Sequence, residues 1–274
     1  MKLPFQTDPA RGAAAVLARL GLVVLQTDEV IEGEFPRLLG PDFGTDGIRL
    51  HVTRVPSGRE VTPETLAAME AELPAAVSLL PTGVPFDVIA YACTSGATVI
   101  GEAGVATAIR SVRPGVAVSN PLTAAKAALA ALGLRRIGFV TPYTAEVSAA
   151  MRDKLSAAGF DTASFGSFEV AEDGIVARMK PASILEAILS VGEAAPCDGI
   201  FTACTNLRAA GVIEEAEARL GKPVVTSNQA LAWHMLRLAG YDNTVQGHGQ
   251  LFTRPLSELN AAAGVSPGYA DAPR

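Results

Sequence analysis

Short, wholly apolar runs alternate with longer stretches in which apolar residues recur every three or four positions, and the alternation continues for most of the chain. A brief apolar run bounded by turn residues suits a strand buried on both faces, whereas the wider spacing places one apolar stripe along a helix. Val16, Leu17 and Leu20 then fall in an Ala-rich helix over 10–20, followed by a first strand, GLVVLQT (21–27), that ends at Asp28 and Glu29. GIRLHVTRV (47–55) reads as a second strand, and 61–80 as a helix with Thr62 as N-cap and Pro63 at its first position, where a missing N–H does no harm. A third strand within 86–96 leads into a helix from about Thr98 to Arg110, GVAVSN (115–120) is a short strand, and Pro121 opens an Ala-rich helix to about Leu132. The pattern then restarts. LGLRRIGFVTPYTAEV (132–147) predicts strand, polar turn and helix, FDTASFGSFEV (160–170) a strand, and Pro181 the start of a helix. Residues 197–206 predict a strand and polar turn, followed by a helix, by KPVVTSN (222–228) and by a closing helix over 229–239.

The restart carries a repeat. FDVIAYACTSG (86–96) and CDGIFTACTN (197–206) share an Asp, an apolar run, an Ala and then Cys-Thr, with six positions from Asp87 to Cys93 and six from Asp198 to Cys204. LGL at 20 and 132 and Ser-Asn at 119 and 227 extend the match: Gly21 precedes Cys93 by 72 residues and Gly133 precedes Cys204 by 71, while Asn120 and Asn228 follow their cysteines by 27 and 24. Strands alternating with helices imply right-handed crossovers and parallel sheets. The expected fold is therefore α/β, two pseudo-symmetric doubly wound parallel-sheet domains, with 1–120 plus 229–274 forming the first and 121–228 the second. Each cysteine is expected at a strand-to-helix switch, where free N–H groups and the helix dipole hold an anion and lower a thiol pKa from about 8.5 to about 7. Both turns would line the cleft between the domains.

Two thiols facing one another suit a specific chemistry: one removes a proton from, or attacks, one face of a planar carbon and the other delivers a proton to the opposite face. Thr94, Ser95, Thr205, Asn206 and their backbone N–H groups are the expected oxyanion donors, and Tyr143 is a donor facing the cleft. Arg54 and Arg208 are candidates for a substrate carboxylate. Cys197 has no counterpart, Phe86 holding its place, and reads as structural; His51 and His234 read as packing residues. The three histidines are far apart and no GxGxxG follows the first strand, GEAGVATA (101–108) falling within a helix, so no metal and no cofactor is expected. The net charge of −6, with 22 Lys plus Arg scattered singly, argues against nucleic acid. Asp8, Pro9, Arg11 and Arg19 interrupt the N-terminal apolar stretch, which argues against a signal peptide or membrane span, and three cysteines suit a reducing, cytoplasmic setting. The Pro/Gly/Ala-rich C-terminal tail is expected to be partly mobile.

The motifs CTSG, CTNLR, GFVTPYT and GKPVVTSNQALAW resemble the aspartate/glutamate racemase superfamily, in its branch of maleate cis-trans isomerases, arylmalonate decarboxylases and the ectoine-utilisation protein EutA, over about residues 20–240. The resemblance implies a cofactor-independent homodimeric enzyme acting on a small carboxylate, with the last helices returning to the first domain. It assigns Cys93 as nucleophile or base, Cys204 as the opposing acid/base and Tyr143 as a substrate donor. Arylmalonate decarboxylases keep only the second cysteine, so two imply isomerase or racemase chemistry. Maleate isomerases carry Asn after the first strand, where this chain has Gln26-Thr27-Asp28, and again near Asp173. An amide donates to a carboxylate, whereas an ionised carboxylate only accepts. Asp28 and Asp173 thus point to a cationic nitrogen in the substrate, of ectoine or hydroxyectoine type, the competing reading of each being a helix cap. A maleate cis-trans isomerase and, in another class, a bilobed small-anion binding or sensor protein are the alternatives.

Overall fold

The structure, a computed structural model, describes residues 16–44 and 47–256. Two four-stranded parallel sheets form it. The first is ordered β2-β1-β3-β4, from β1 (Ala18–Leu25), β2 (Ile48–Val55), β3 (Val88–Ala92) and β4 (Ala117–Ser119); the second, β6-β5-β7-β8, from β5 (Arg136–Thr141), β6 (Asp161–Ser167), β7 (Gly199–Thr202) and β8 (Val224–Thr226). Helices fill the connections: α1 (Ile31–Leu38), α2 (Pro63–Ser78), α3 (Thr94–Ile100), α4 (Glu102–Val112) and α5 (Pro121–Ala131) in the first half, and α6 (Ala145–Ala157), α7 (Asp173–Val176), α8 (Pro181–Ala194), α9 (Ile213–Leu220) and α10 (Ser227–Leu238) in the second. Strands β3 and β7 are buried at every position, as parallel strands covered on both faces must be. Helix α10 packs against α5 and reaches back to α1 and β3. Among the described residues no helix is long and apolar enough to cross a membrane.

Helix starts follow the local signals. Thr62 caps α2 in a capping box with Thr65, and the Asn120 side chain caps α5 ahead of Pro121. Three expectations are corrected. The first strand begins at Ala18 rather than Gly21, because Ala18, Arg19 and Leu20 already pair with Ile48, Arg49 and Leu50; the part of the expected helix before Val16 lies outside the described residues, as does most of the C-terminal tail. The helix expected from Thr98 starts at Thr94 and breaks at Gly101, whose φ of 85° only glycine adopts without strain; of 101–108 only Gly101 lies outside a helix, as the N-cap of α4. Third, the LGL and Ser-Asn echoes are out of register. Leu22 pairs with Ala90 and Phe139 with Phe201, each partner three residues before its cysteine, so Leu22 matches Phe139, and Gly21 matches Gly138 rather than Gly133. Ser119 lies beside Ala90 and Val225 beside Phe201, which makes the two helix caps, Asn120 and Thr226, the equivalent pair.

The true equivalences have physical reasons. A Cβ on Gly21 would stand 3.0 Å from Ile89, and one on Gly138 2.7 Å from Ile200, so each glycine makes room for the matching isoleucine of the central strand. The repeated aspartates are strand clamps. Asp87 accepts from the Arg19 N–H at 2.7 Å, and Asp198 accepts from the N–H groups of Arg135 and Arg136 at 3.0 and 2.8 Å. Those bonds hold the Asp198 carboxyl below the usual range.

Candidate active site

Cys93 ends β3, and its own sulfur caps α3: Sγ accepts from the Gly96 N–H at 3.2 Å and lies 3.5 Å from Ser95 Oγ. Cys204 is placed differently. It follows β7 with a φ of 117°, a left-handed backbone rarely adopted by a residue with a side chain. A turn follows, and helical structure resumes only at a 3₁₀ turn over Ala210–Val212. The expected helix N-terminus behind Cys204 is therefore absent. Its N–H is held instead by Ser227 Oγ at 3.0 Å, and the same hydroxyl lies 2.8 Å from Thr94 Oγ1. One fully buried serine at the start of α10 thus joins both cysteine turns.

Thr205 and Asn206 are already bonded. Thr205 Oγ1 donates to the Ala92 carbonyl at 3.2 Å, and the Thr205 carbonyl accepts from Asn228 Nδ2 at 2.8 Å. Asn206 Oδ1 accepts from the Glu29 N–H at 2.9 Å, while Nδ2 donates to the carbonyls of Asp173 at 3.2 Å and Thr27 at 3.4 Å. These side chains tie the second turn to the first half and hold its backbone in place. Tyr143, 2% exposed, lies in the turn after β5; burial raises its pKa well above the phenol value, with the charges of Cys204 and Cys93 adding to the rise.

Two carboxyls complete the site. Asp28 Oδ1 accepts from the N–H groups of Val30 and Ile31 at 2.8 and 2.9 Å, steadying the entry to α1, whose N-cap is Val30, while its Oδ2 is buried with no hydrogen-bond partner. Asp173 Oδ2 accepts from Thr27 Oγ1 at 2.6 Å. Burial raises both, and the Asp173 charge raises Asp28 further. Behind them lies Glu34 of α1, absent from the sequence reading: Oε1 accepts from Ala210 N–H at 3.1 Å and Oε2 from Asn228 Nδ2 at 2.8 Å. Burial pushes its carboxyl up to about 7.

The expectation of a thiolate near neutral pH is also corrected. Burial pushes the Cys93 thiol up to about 11 against the pull of Ser95 and Gly96, and lifts Cys204 well above the ordinary value, with the Asp173 charge adding to both. Desolvation outweighs the helix end at Cys93, and Cys204 has no helix end. In this closed state both sulfurs are thiols, 4% and 5% exposed. A cavity of about 670 Å³, lined by Glu29, Glu34, Arg37, Arg208 and His248 among others, does not include either cysteine.

The other candidates lie elsewhere. Arg54 donates to the carbonyls of Leu25, Gln26 and Asp28 and pairs with Glu32, steadying the end of β1. Arg208 is exposed and donates to the Met179 carbonyl at 2.7 Å. His234 Nδ1 meets Ser119 Oγ at 2.8 Å, and burial drops its pKa to about 4, so it is a neutral packing residue. His51 stands edge-on to Phe86, and half-buried Cys197 faces the Gly192 carbonyl and Lys222 Nζ. Among the described residues no group of three or more His, Cys, Asp or Glu is arranged to hold a metal ion.

Comparison with known proteins places this geometry in context. A family model described as arylmalonate decarboxylase matches residues 109–252. The maleate isomerase of Nocardia farcinica is 28% identical over 242 residues, covering 86% of this chain and 95% of that one, and that of Pseudomonas putida 26% identical over 247 residues, covering 86% and 98%. The arylmalonate decarboxylase of Bordetella bronchiseptica is 33% identical over 140 residues, covering 50% and 58%. Among solved structures, the Nocardia farcinica maleate cis-trans isomerase bound to TRIS has a TM-score of 0.78 at 29% identity, covering 86% of this chain and 97% of that one. A cysteine-to-serine mutant of that enzyme with a covalently bound succinylcysteine intermediate has a TM-score of 0.76 at 27% identity, covering 86% and 98%.

Proposed function

Because the chain belongs to the arylmalonate decarboxylase family, we propose that it is an isomerase acting on a small carboxylate, with Cys93 and Cys204 as its paired acid and base. The observation that carries this is the single Ser227 hydroxyl that joins the Cys93 turn to the Cys204 turn, with both thiols and Tyr143 buried around it. In racemisation one sulfur, as thiolate, takes the proton from the substrate carbon and the other thiol gives its proton to the opposite face; in cis-trans isomerisation the thiolate adds to one alkene carbon while the other thiol protonates the neighbouring carbon, and after rotation about the new single bond that proton and the thiolate leave again. Tyr143 donates to the oxygen that gains charge. No cofactor has a step in this scheme. The succinylcysteine of the Nocardia enzyme supports direct participation of a cysteine in this family.

The unpartnered Oδ2 of Asp28, with Asp173 beside it, favours a substrate that also carries a cationic nitrogen, such as an ectoine or hydroxyectoine-type compound. A charge-assisted hydrogen bond there is worth about 1.5–3 kcal/mol, or roughly 10- to 150-fold in affinity. The second reading is a maleate cis-trans isomerase. It is favoured by the relatives, and by the raised pKa of both aspartates, since a protonated carboxyl can donate to a substrate carboxylate. Wild type and Asp28→Asn are compared with maleate and with hydroxyectoine in deuterated water, followed by NMR. Deuterium entering hydroxyectoine, about 10- to 150-fold more slowly in the variant, supports the cationic reading. Efficient maleate turnover by the wild type, with no gain in the variant, defeats it in favour of maleate. Tight binding of either compound without turnover or exchange would indicate a sensor and sink both.

A further inference from the structure

Tyr91 is fully buried in β3, two residues before Cys93, and its hydroxyl has no part in the scheme above. Its Oη donates to the Met69 Sδ of α2 at 3.4 Å. A thioether is a weak acceptor, so this bond is readily exchanged for a better one. A better one is adjacent. A Cβ built on Gly96 would stand 2.2 Å from Tyr91 Oη and 3.1 Å from Cys93 Sγ, so the phenol and the sulfur border the same small gap that the glycine leaves open. Gly96 also gives its N–H to that sulfur.

We propose that Tyr91 is a positioning residue for Cys93, its hydroxyl turning from Met69 to the sulfur as the thiol ionises. The thiolate then has three donors, the Gly96 N–H, the Ser95 hydroxyl and the Tyr91 hydroxyl, which fix its direction towards the substrate. The titratable groups facing Cys93 are Tyr91 from its own strand, Tyr143 from the turn after β5 and Asp173 from α7. The carboxylate of Asp173 opposes ionisation, and the hydroxyls of Ser95 and Tyr91 favour it. An isolated buried thiolate is unfavourable without such donors.

The inference rests on the role given to Cys93, and its test is independent of turnover. In a Cys197→Ser, Cys204→Ser background, the rate of alkylation of Cys93 by iodoacetamide is followed by mass spectrometry from pH 6 to 9, below the thiol's midpoint, with and without Tyr91→Phe. Loss of the hydroxyl is expected to slow alkylation about tenfold at every pH in that range. The thermal unfolding midpoint should stay nearly unchanged, which separates this effect from a general loosening. Should Tyr91→Phe not fold, Met69→Leu removes the competing acceptor and is expected to speed alkylation. An unchanged alkylation rate in the folded variant tested overturns the proposal.

Discussion

Replacing Glu34 by glutamine should change how stability depends on pH. Glu34 is 8% exposed, and burial raises its carboxyl pKa from 4.5 to about 7, with the Asp28 charge adding to the rise and Arg37 opposing it. Below 4.5 folded and unfolded chains both hold the proton, and the stability due to this group is fully present. As pH rises towards 7 the unfolded chain ionises first, so that stability is lost; at about 1.4 kcal/mol per unit the loss is about 3 kcal/mol. Glutamine cannot ionise. It keeps a carbonyl for one of the donors, Ala210 N–H or Asn228 Nδ2, and turns an NH₂ towards the other, which costs about 1–3 kcal/mol at every pH. Glu34→Gln should therefore be less stable than wild type near pH 4.5 and draw level, or pass it, above pH 7. Urea unfolding of both proteins at four or five pH values measures the difference. Taking the difference cancels Asp173 and Glu217, whose raised pKa values bend both curves the same way. A difference flat from pH 4.5 to 7.5 would mean that Glu34 ionises normally, and the reasoning would be refuted.

Cys93→Ser and Cys204→Ser should each reduce turnover by at least about a hundredfold, since an alcohol ionises far less readily than a thiol, while unfolding midpoints change little. Near-normal turnover by either variant on the true substrate would rule out the paired-thiol scheme. Gly96→Ala should destabilise the protein by about 1–3 kcal/mol, because its methyl would press on Tyr91 Oη and Cys93 Sγ in a fully packed region. A Tm within a degree of wild type would show that the phenol has free space to retreat into.

Much of the architecture was legible because its signals are local. An apolar run between turn residues has few solutions other than a buried strand, and Thr62-Pro63 and Asn120-Pro121 cap helices with their own atoms. The letter matches that slid out of register, LGL and Ser-Asn, did so because similar apolar and capping residues recur nearby, whereas pairing is set by backbone hydrogen bonds and by the Asp87 and Asp198 clamps. Arg19-x-Gly21 against Arg136-x-Gly138 was the legible signal for that register. The two Cys-Thr turns look alike in sequence and differ in backbone, since nothing in CTN announces a φ of 117°. Protonation was the least visible feature. It depends on depth, and Glu34 meets Asn228 across 194 positions of sequence. Its place in a short helix containing Pro36 gave no hint of that partner.

The unlike backbones of Cys93 and Cys204 have a kinetic consequence. One sulfur rests on a helix end and the other on a strained turn held by a serine, so the two protons leave and return over unequal barriers. An enzyme of the proposed kind must satisfy the overall equilibrium constant, yet its forward and reverse kcat values and solvent isotope effects need not match. Even between mirror-image substrates, the higher of the two proton-transfer barriers would be crossed as abstraction in one direction and as donation in the other.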